Sequence, residues 1–240
     1  MKRWISTLAL LAGGIGPVHA ADIGAGVRAS TLGLGAELSI GLLDRLVLRI
    51  PVSTFTYSDD VEEDGINYDG DLDLLTVGLF ADVHVFGGAF HITGGLASNG
   101  NELNLRASEA TGNESFEVGS NTYVSDPDDP FELRAGIDFE SVAPYIGIGW
   151  GNAVHAERNS VYFKLELGVL YQGSPQATAS ATGSVRDADT PLAPSFDVNS
   201  ADPRAQAFRQ QLEAERATLE DDIDEYDLYP VLGVSVGYRF

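Results

Sequence analysis

The chain closes on VLGVSVGYRF, residues 231–240, and this stretch decides the fold. Counting back from Phe240, Tyr238, Val236, Val234 and Leu232 fall on every second position, with Arg239, Gly237, Ser235 and Gly233 between them. A period of two marks a β-strand with one apolar face. The alternation recurs in LLTVGLFADVHVF (residues 74–86), where Leu75, Val77, Leu79, Ala81, Val83 and Val85 interleave with Thr76, Gly78, Phe80, Asp82 and His84. In VYFKLELGVLY (residues 161–171) the apolar set Val161, Phe163, Leu165, Leu167, Val169 and Tyr171 interleaves with Tyr162, Lys164, Glu166 and Gly168.

Ten stretches alternate in this way. Besides those three they are DIGAGVRAS (22–30), LGLGAELSIG (32–41), RLVLRIPVSTFTYS (45–58), AFHITGGLASN (89–99), FELRAGIDFE (131–140), YIGIGWGN (145–152) and ATASATGSV (177–185), the last with only alanine on its better face. Their second face carries Arg28, Glu37, Arg49, Asp82, Arg134, Asp138, Lys164 and Glu166, set among Gly, Ser and Thr. The connections GLLD, FGGA, SVAP and GSP are tight. Those around residues 58–70, 106–130 and 187–226 are long and acidic, and STLG and HAERNS are short members of that second set. One end of the molecule thus carries turns and the other loops.

The chain opens on MKRWISTLALLAGGIGPVHA, with Lys2 and Arg3 before an apolar run and small residues at the end, the pattern of a secretory signal. Residues 1–20 are read as that signal and residues 21–240 as one barrel domain. Later apolar runs all fall short of the roughly 20 residues a spanning helix needs. The formal charge is −22, and losing Lys2 and Arg3 leaves 12 basic against 36 acidic residues, or −24. Such a chain repels nucleic acid and attracts divalent cations. With no cysteine, it has no disulfide framework or thiolate site.

A soluble sandwich shares the alternation. The export signal, the turn-and-loop asymmetry and the terminal aromatic strand shift the reading to an all-β, antiparallel up-and-down transmembrane barrel with a polar interior. Hydrocarbon offers no partner to a free N–H or C=O, so a spanning sheet must close on itself. An even count puts both termini at the turn end. Ten strands satisfy this, and eight remains open if the first hairpin or the weak ninth strand is misread. Tyr238 and Phe240 then sit at the membrane interface, where aromatic rings are favoured. A helix is expected in the last long loop, over residues 203–226, with Asp202 as N-cap, Pro203 at the first position and a narrow apolar stripe of Ala207, Leu212, Leu219 and Ile223.

The stretches VHVFGGAFHITGGLASNGN, APYIGIGWGN, LGVLYQGSP and LYPVLGVSVGYRF resemble those of a proteobacterial outer-membrane group within the OmpA-like and opacity-like small-barrel superfamily. That resemblance implies the bacterial outer membrane, lipid and lipopolysaccharide as surroundings, and recognition of the Phe240 terminus by the barrel assembly machinery. It supplies no catalytic set.

Three groups of residues are candidate sites. The inward charges either pair into a plug or line a narrow porin-like pore. Asp69, Asp71 and Asp73 share a face above the apolar belt and could take Ca2+ or Mg2+, or meet lipopolysaccharide through such ions, although the Gly and Glu of an EF-hand loop are missing. His155, Glu157 and Ser160 lie together in one loop, the residue types of a lipid-modifying hydrolase but with no strand scaffold to hold them. His84 and His91 flank a turn on the inward face. The expected protein is a monomeric barrel without cofactor or catalysis, with a structural or surface-interaction role.

Overall fold

The computed structural model describes residues 22–63, 66–109, 115–153 and 159–240. The first half runs β1 (Ile23–Ser30), β2 (Gly33–Leu43), β3 (Leu46–Glu63), β4 (Ile66–Val83), β5 (Phe90–Asn99), β6 (Glu102–Glu109), β7 (Ser115–Val118) and β8 (Asn121–Ser125). The second runs β9 (Glu132–Asp138), β10 (Val142–Trp150), β11 (Ser160–Tyr171), β12 (Gln176–Thr182), β13 (Ser184–Asp187), β14 (Phe196–Asp197), α1 (Pro203–Ile223) and β15 (Leu228–Arg239).

Eight of these strands close a ring in the order β1, β2, β3, β4, β5, β10, β11, β15 and back to β1, each pair antiparallel. The last strand of the chain, β15, joins the two ends of the sheet through Val27↔Val236 on one side and Phe163↔Val236 on the other. Closure removes both sheet edges within the ring. Outward lie Val27, Leu34, Leu79, Leu96, Ile146, Phe163 and Val234, all exposed. Phe86, Phe90, Trp150, Tyr238 and Phe240 gather at the terminal end of the barrel, where β1 begins and β15 finishes, with Phe90 against Trp150 at 5.3 Å and Tyr238 against Phe240 at 5.4 Å.

The count settles at eight because two of the ten expected strands do not cross. FELRAGIDFE forms β9 and ATASATGSV forms β12, and both continue strands of the ring upward. The pairing on β4 passes from Val77↔Ser98 to Asp73↔Glu102 without a change of register, so β5 and β6 are one path bent at residues 100–101. β9 and β10 likewise keep one register against that path, from Leu103↔Ile137 to Ser98↔Val142. Hydrogen bonds hold the bends: Gly100 N–H donates to Leu75 O at 2.8 Å, Asn99 N–H to Ser141 O at 2.9 Å and Glu140 N–H to Gln172 O at 3.0 Å. SVAP and GSP, expected as reversing turns, are therefore bends within continuing paths. With those two reversals gone, β10 ends at Trp150 opposite Phe90 and β11 begins at Ser160 opposite Arg239, both at the terminal end, whereas HAERNS was expected with the long loops; its residues 155–158 lie outside the described residues.

Five paths thus rise beyond the belt as a curved wall: β3, β4, β5–β6, β10–β9 and β11–β12. β1, β2 and β15 stop at the rim. Where the wall leaves the belt, its chemistry inverts while its direction does not. On β4 the outward positions Leu75, Val77 and Leu79 give way to Asp73, Asp71 and Asp69, and the inward positions Thr76 and Asp82 give way to Leu74, Leu72 and Tyr68. The doublet Leu74–Leu75 marks the change. Nine residues, 75–83, with the odd-numbered ones facing outward, span the belt on β4, a length that crosses a bilayer core when tilted.

The apolar inner face of the wall supports a small outer module: the sheet β14-β13-β8-β7 and helix α1. Val118, Tyr123, Phe131, Val185, Phe196, Val198, Ala205 and Phe208 form its buried core, with Leu133 and Ala181 of the wall packed against it. Asp202 caps α1 by accepting from Arg204 N–H at 2.8 Å, and Pro203 stands in the first turn, where its missing N–H costs nothing. The buried stripe is Ala205 and Phe208, with Leu212 half-buried; Ala207 and Leu219 of the expected stripe are exposed. Arg216 Nη1 donates to Ala177 O at 3.1 Å, tying the helix to β12.

Candidate functional site

Inside the ring, alternation sends six charged side chains to one level: Arg28 from β1, Glu37 from β2, Arg49 from β3, Asp82 from β4, and Lys164 and Glu166 from β11. All are buried. Arg49 is the hub. Its Nε donates to Asp82 Oδ2 at 2.9 Å and its Nη2 to Asp82 Oδ1 at 3.1 Å, a two-pronged pair of the kind a planar guanidinium favours. Its Nη1 donates to Glu166 Oε2 at 2.5 Å and stands 3.8 Å from Glu37 Oε2. Lys164 Nζ reaches Glu37 Oε1 at 3.1 Å and Asp82 Oδ2 at 3.7 Å, and Arg28 Nη1 lies 3.6 Å from Glu166.

Three cations and three anions cancel at this level. Neutral donors add to two of the carboxylates: Thr93 Oγ1 donates to Asp82 Oδ1 at 2.8 Å, and Tyr145 OH to Glu166 Oε1 at 2.5 Å. Phe80 stacks on Tyr145 with ring centroids 4.5 Å apart, and the Arg49 guanidinium lies over Phe80 at 5.2 Å. Above the charges Leu32, Ala97, Ala143, Leu170 and Val231 close around these two rings as an apolar lid. The cavity left beside Arg28, Pro51, Phe80, Tyr145 and Glu166 has a volume of about 10 Å3, room for about one water. An ion keeps several waters around it, more than this cavity holds.

Glycine makes the packing feasible at Tyr145. Gly147 and Gly168 face each other across β10 and β11, and a Cβ on Gly168 would stand 2.2 Å from the Tyr145 hydroxyl. Gly168→Val is expected to drive Tyr145 off Glu166 at a cost of about 1–3 kcal/mol, the usual range for overpacking. A lowered urea midpoint for the folded barrel, with intrinsic tyrosine emission altered, checks this.

His84 and His91 lie buried beneath the charges at the terminal end, ring centroids 5.0 Å apart. Their Nδ1 atoms face the carbonyls of Gly88 at 2.8 Å and Ala89 at 3.2 Å. A carbonyl only accepts, so both rings carry the proton on Nδ1.

Arg134 and Asp138 do not join the interior. β9 belongs to the wall above the belt, and its even-numbered residues face outward to water. Arg134 is 66% exposed and pairs with Glu132 at 2.6 Å, while Asp138 is exposed on the same face. Arg106 of β6 pairs with the other oxygen of Glu132, and that hydrogen bond holds the Glu132 carboxyl below its usual range. Alternation alone could not separate these charges from the six inside, since it marks two faces without saying what each one meets.

Asp69, Asp71 and Asp73 stand on the outer face of β4. Ser58 Oγ donates to Asp71 at 2.5 Å and Thr56 Oγ1 to Asp73 at 2.8 Å, and Asp69 sits between Asp60 and Arg106 in register. Alternate residues of a strand lie about 6.5–7 Å apart, so the three aspartates are strung over roughly 13–14 Å along β4. Among the described residues no three His, Asp or Glu side chains gather closely enough to hold a metal ion. His155 and Glu157 lie outside the described residues; Ser160 begins β11 at the terminal end.

No family model and no curated protein matches the chain. Among solved structures, the crystal structure of CarO from Acinetobacter baumannii is 22% identical, with 90% of this chain and 97% of that one covered at a TM-score of 0.52. CarO2 from the same organism is 20% identical, with 91% and 98% covered and a TM-score of 0.53. The likeness extends over nearly all of both chains, so this protein shares the fold of those two structures.

Proposed function

We propose that this protein is a bacterial outer-membrane barrel that conducts nothing, and that it serves as a membrane anchor presenting the wall and outer module at the cell surface. The carrying observation is the neutral six-charge layer around Arg49, sealed by the apolar lid and leaving a cavity of about 10 Å3. The exposed apolar belt and the aromatic ring at Tyr238 and Phe240 support the membrane setting. Lipid and lipopolysaccharide are the surroundings this reading supplies, with the chain working as a monomer.

Planar-bilayer recording on the refolded protein tests it. Silence from barrel shown to be folded by heat-dependent gel mobility is the expected result. Steady conductance from the wild type would overturn the reading in favour of a narrow channel.

A further inference from the structure

The wall has an open edge. β2 pairs with β3 only as far as Leu34↔Thr54, and among the described residues no strand pairs with that side of β3 beyond it, although β3 continues to Glu63. Even-numbered residues point their backbone groups to that side: Val52 O and Thr54 O lie against Gly35 and Gly33 of β2, whereas Asp59 O faces Gly70 of β4. Thr56, Ser58, Asp60 and Glu62 therefore present N–H and C=O groups at a free edge.

The side chains along this edge are sorted by face. On the inner face Phe55 is 44% exposed, Tyr57 54% and Val61 51%, and the same face continues across Leu72 and Gly70 to Leu103 and Leu105, 40% and 41% exposed. Only Asp59 interrupts it. On the outer face stand Ser58, Asp60 and Glu62, backed by Asp69, Asp71 and Asp73 of β4. An acidic edge commonly serves to keep strands apart. Here it runs beside a strip of the inner face at Phe55, Tyr57 and Val61 that the outer module leaves about half exposed, above the apolar belt.

We propose that the edge of β3 at residues 56–62 takes an extended segment of a partner protein as an added strand, one in which basic and apolar residues alternate. Backbone bonds to Thr56, Ser58, Asp60 and Glu62 would supply affinity, and the alternation would supply specificity. Apolar side chains of the guest cover Phe55, Tyr57 and Val61, and its Lys or Arg side chains meet Asp60 and Glu62. A second copy of this chain is a poor guest, because its own edge brings like charges into direct opposition. This inference rests on the surface-presenting role proposed above and names what that surface receives.

The test uses the full-length protein in detergent micelles and a capped nine-residue peptide of alternating Lys and Val, followed by fluorescence anisotropy. The wild type is expected to bind it and to ignore the matching Glu and Val peptide. Ser58→Pro removes one N–H at the free edge and leaves the β4 ladder intact, and it is expected to weaken binding at least tenfold. Asp60→Lys with Glu62→Lys is expected to do the same, and keeps the test decisive should the proline variant not fold.

Absence of binding to the wild type, or equal binding to Ser58→Pro, would overturn the proposal, the latter by reducing the attraction to charge alone. Dimers in sedimentation that disappear in Ser58→Pro would also overturn it, assigning the edge to a second copy. Conductance of the wild type is read separately, so failure of the edge and failure of the sealed-barrel reading are told apart.

Discussion

Arg49→Ala is expected to destabilise the barrel by about 3–5 kcal/mol, the range for removing one partner from a buried ionic cluster. The size follows from what is left behind. Asp82 loses its two-pronged partner, Glu166 its shortest charged contact, and Glu37 one of two nearby cations. Lys164 and Arg28 alone then face three buried carboxylates, a net charge of −1 in a space that excludes water. Phe80 also loses the guanidinium lying over its ring.

Urea titration of the protein in lipid vesicles, read by heat-dependent gel mobility, measures the loss. Arg49→Met combined with Asp82→Asn removes charge of both signs and is expected to recover much of it, because a matched deletion leaves fewer uncompensated groups. The vacated guanidinium volume joins the existing cavity, so Arg49→Ala, unlike the wild type, is expected to show small steady currents in planar bilayers. A destabilisation below about 1 kcal/mol, the range of solvated ion pairs, would mean that the cluster is hydrated and the lumen wet.

Phe208→Ala is expected to unfold the outer module and leave the barrel standing. Phe208 is fully buried and meets Tyr123 at 5.1 Å and Phe131 at 5.8 Å, edge to face, so it links the helix, the small sheet and the wall. Truncating a buried phenylalanine costs about 3–5 kcal/mol, a large share of what so small a core supplies. Trypsin has targets throughout the module, at Arg186, Arg204, Arg209 and Arg216. Rapid cleavage there, with gel mobility of the membrane-embedded part unchanged, is the expected pattern. Protease resistance equal to the wild type would show that the module does not depend on this core, and loss of both signals would show that barrel and module fold as one unit.

The helix shows how far local chemistry is legible. Asp202 followed by Pro203 marks its start because both act through the backbone within a few residues. Its buried face was misassigned at Ala207 and Leu219, since a nearly polar helix has no strong stripe and the true anchors, Ala205 and Phe208, are chosen by what stands opposite them.

The six inward charges were legible for a related reason. A strand of the ring has lipid on one side, so any charge on its alternate positions must point into the lumen. That they converge on Arg49 was not, because strand alternation gives a direction but not a height, and height comes from register around the closed sheet.

The closed antiparallel barrel, its apolar exterior and the identity of most of the charges inside it are legible in the chain. These follow from a period of two, which is a local property of the chain. Where the barrel ends is set by contacts between strands far apart in the chain. β9 and β12 alternate as the spanning strands do, and nothing within them says whether the apolar face looks out to lipid or in to a protein core. Pairing of β9 with β6 and β12, and of β6 with the upper half of β4, decides it, placing Arg134 and Asp138 in water and Leu133 against the core of the outer module. The hydrophobic effect rewards burial of an apolar face against any apolar surface, and a sequence alone does not say which surface that will be.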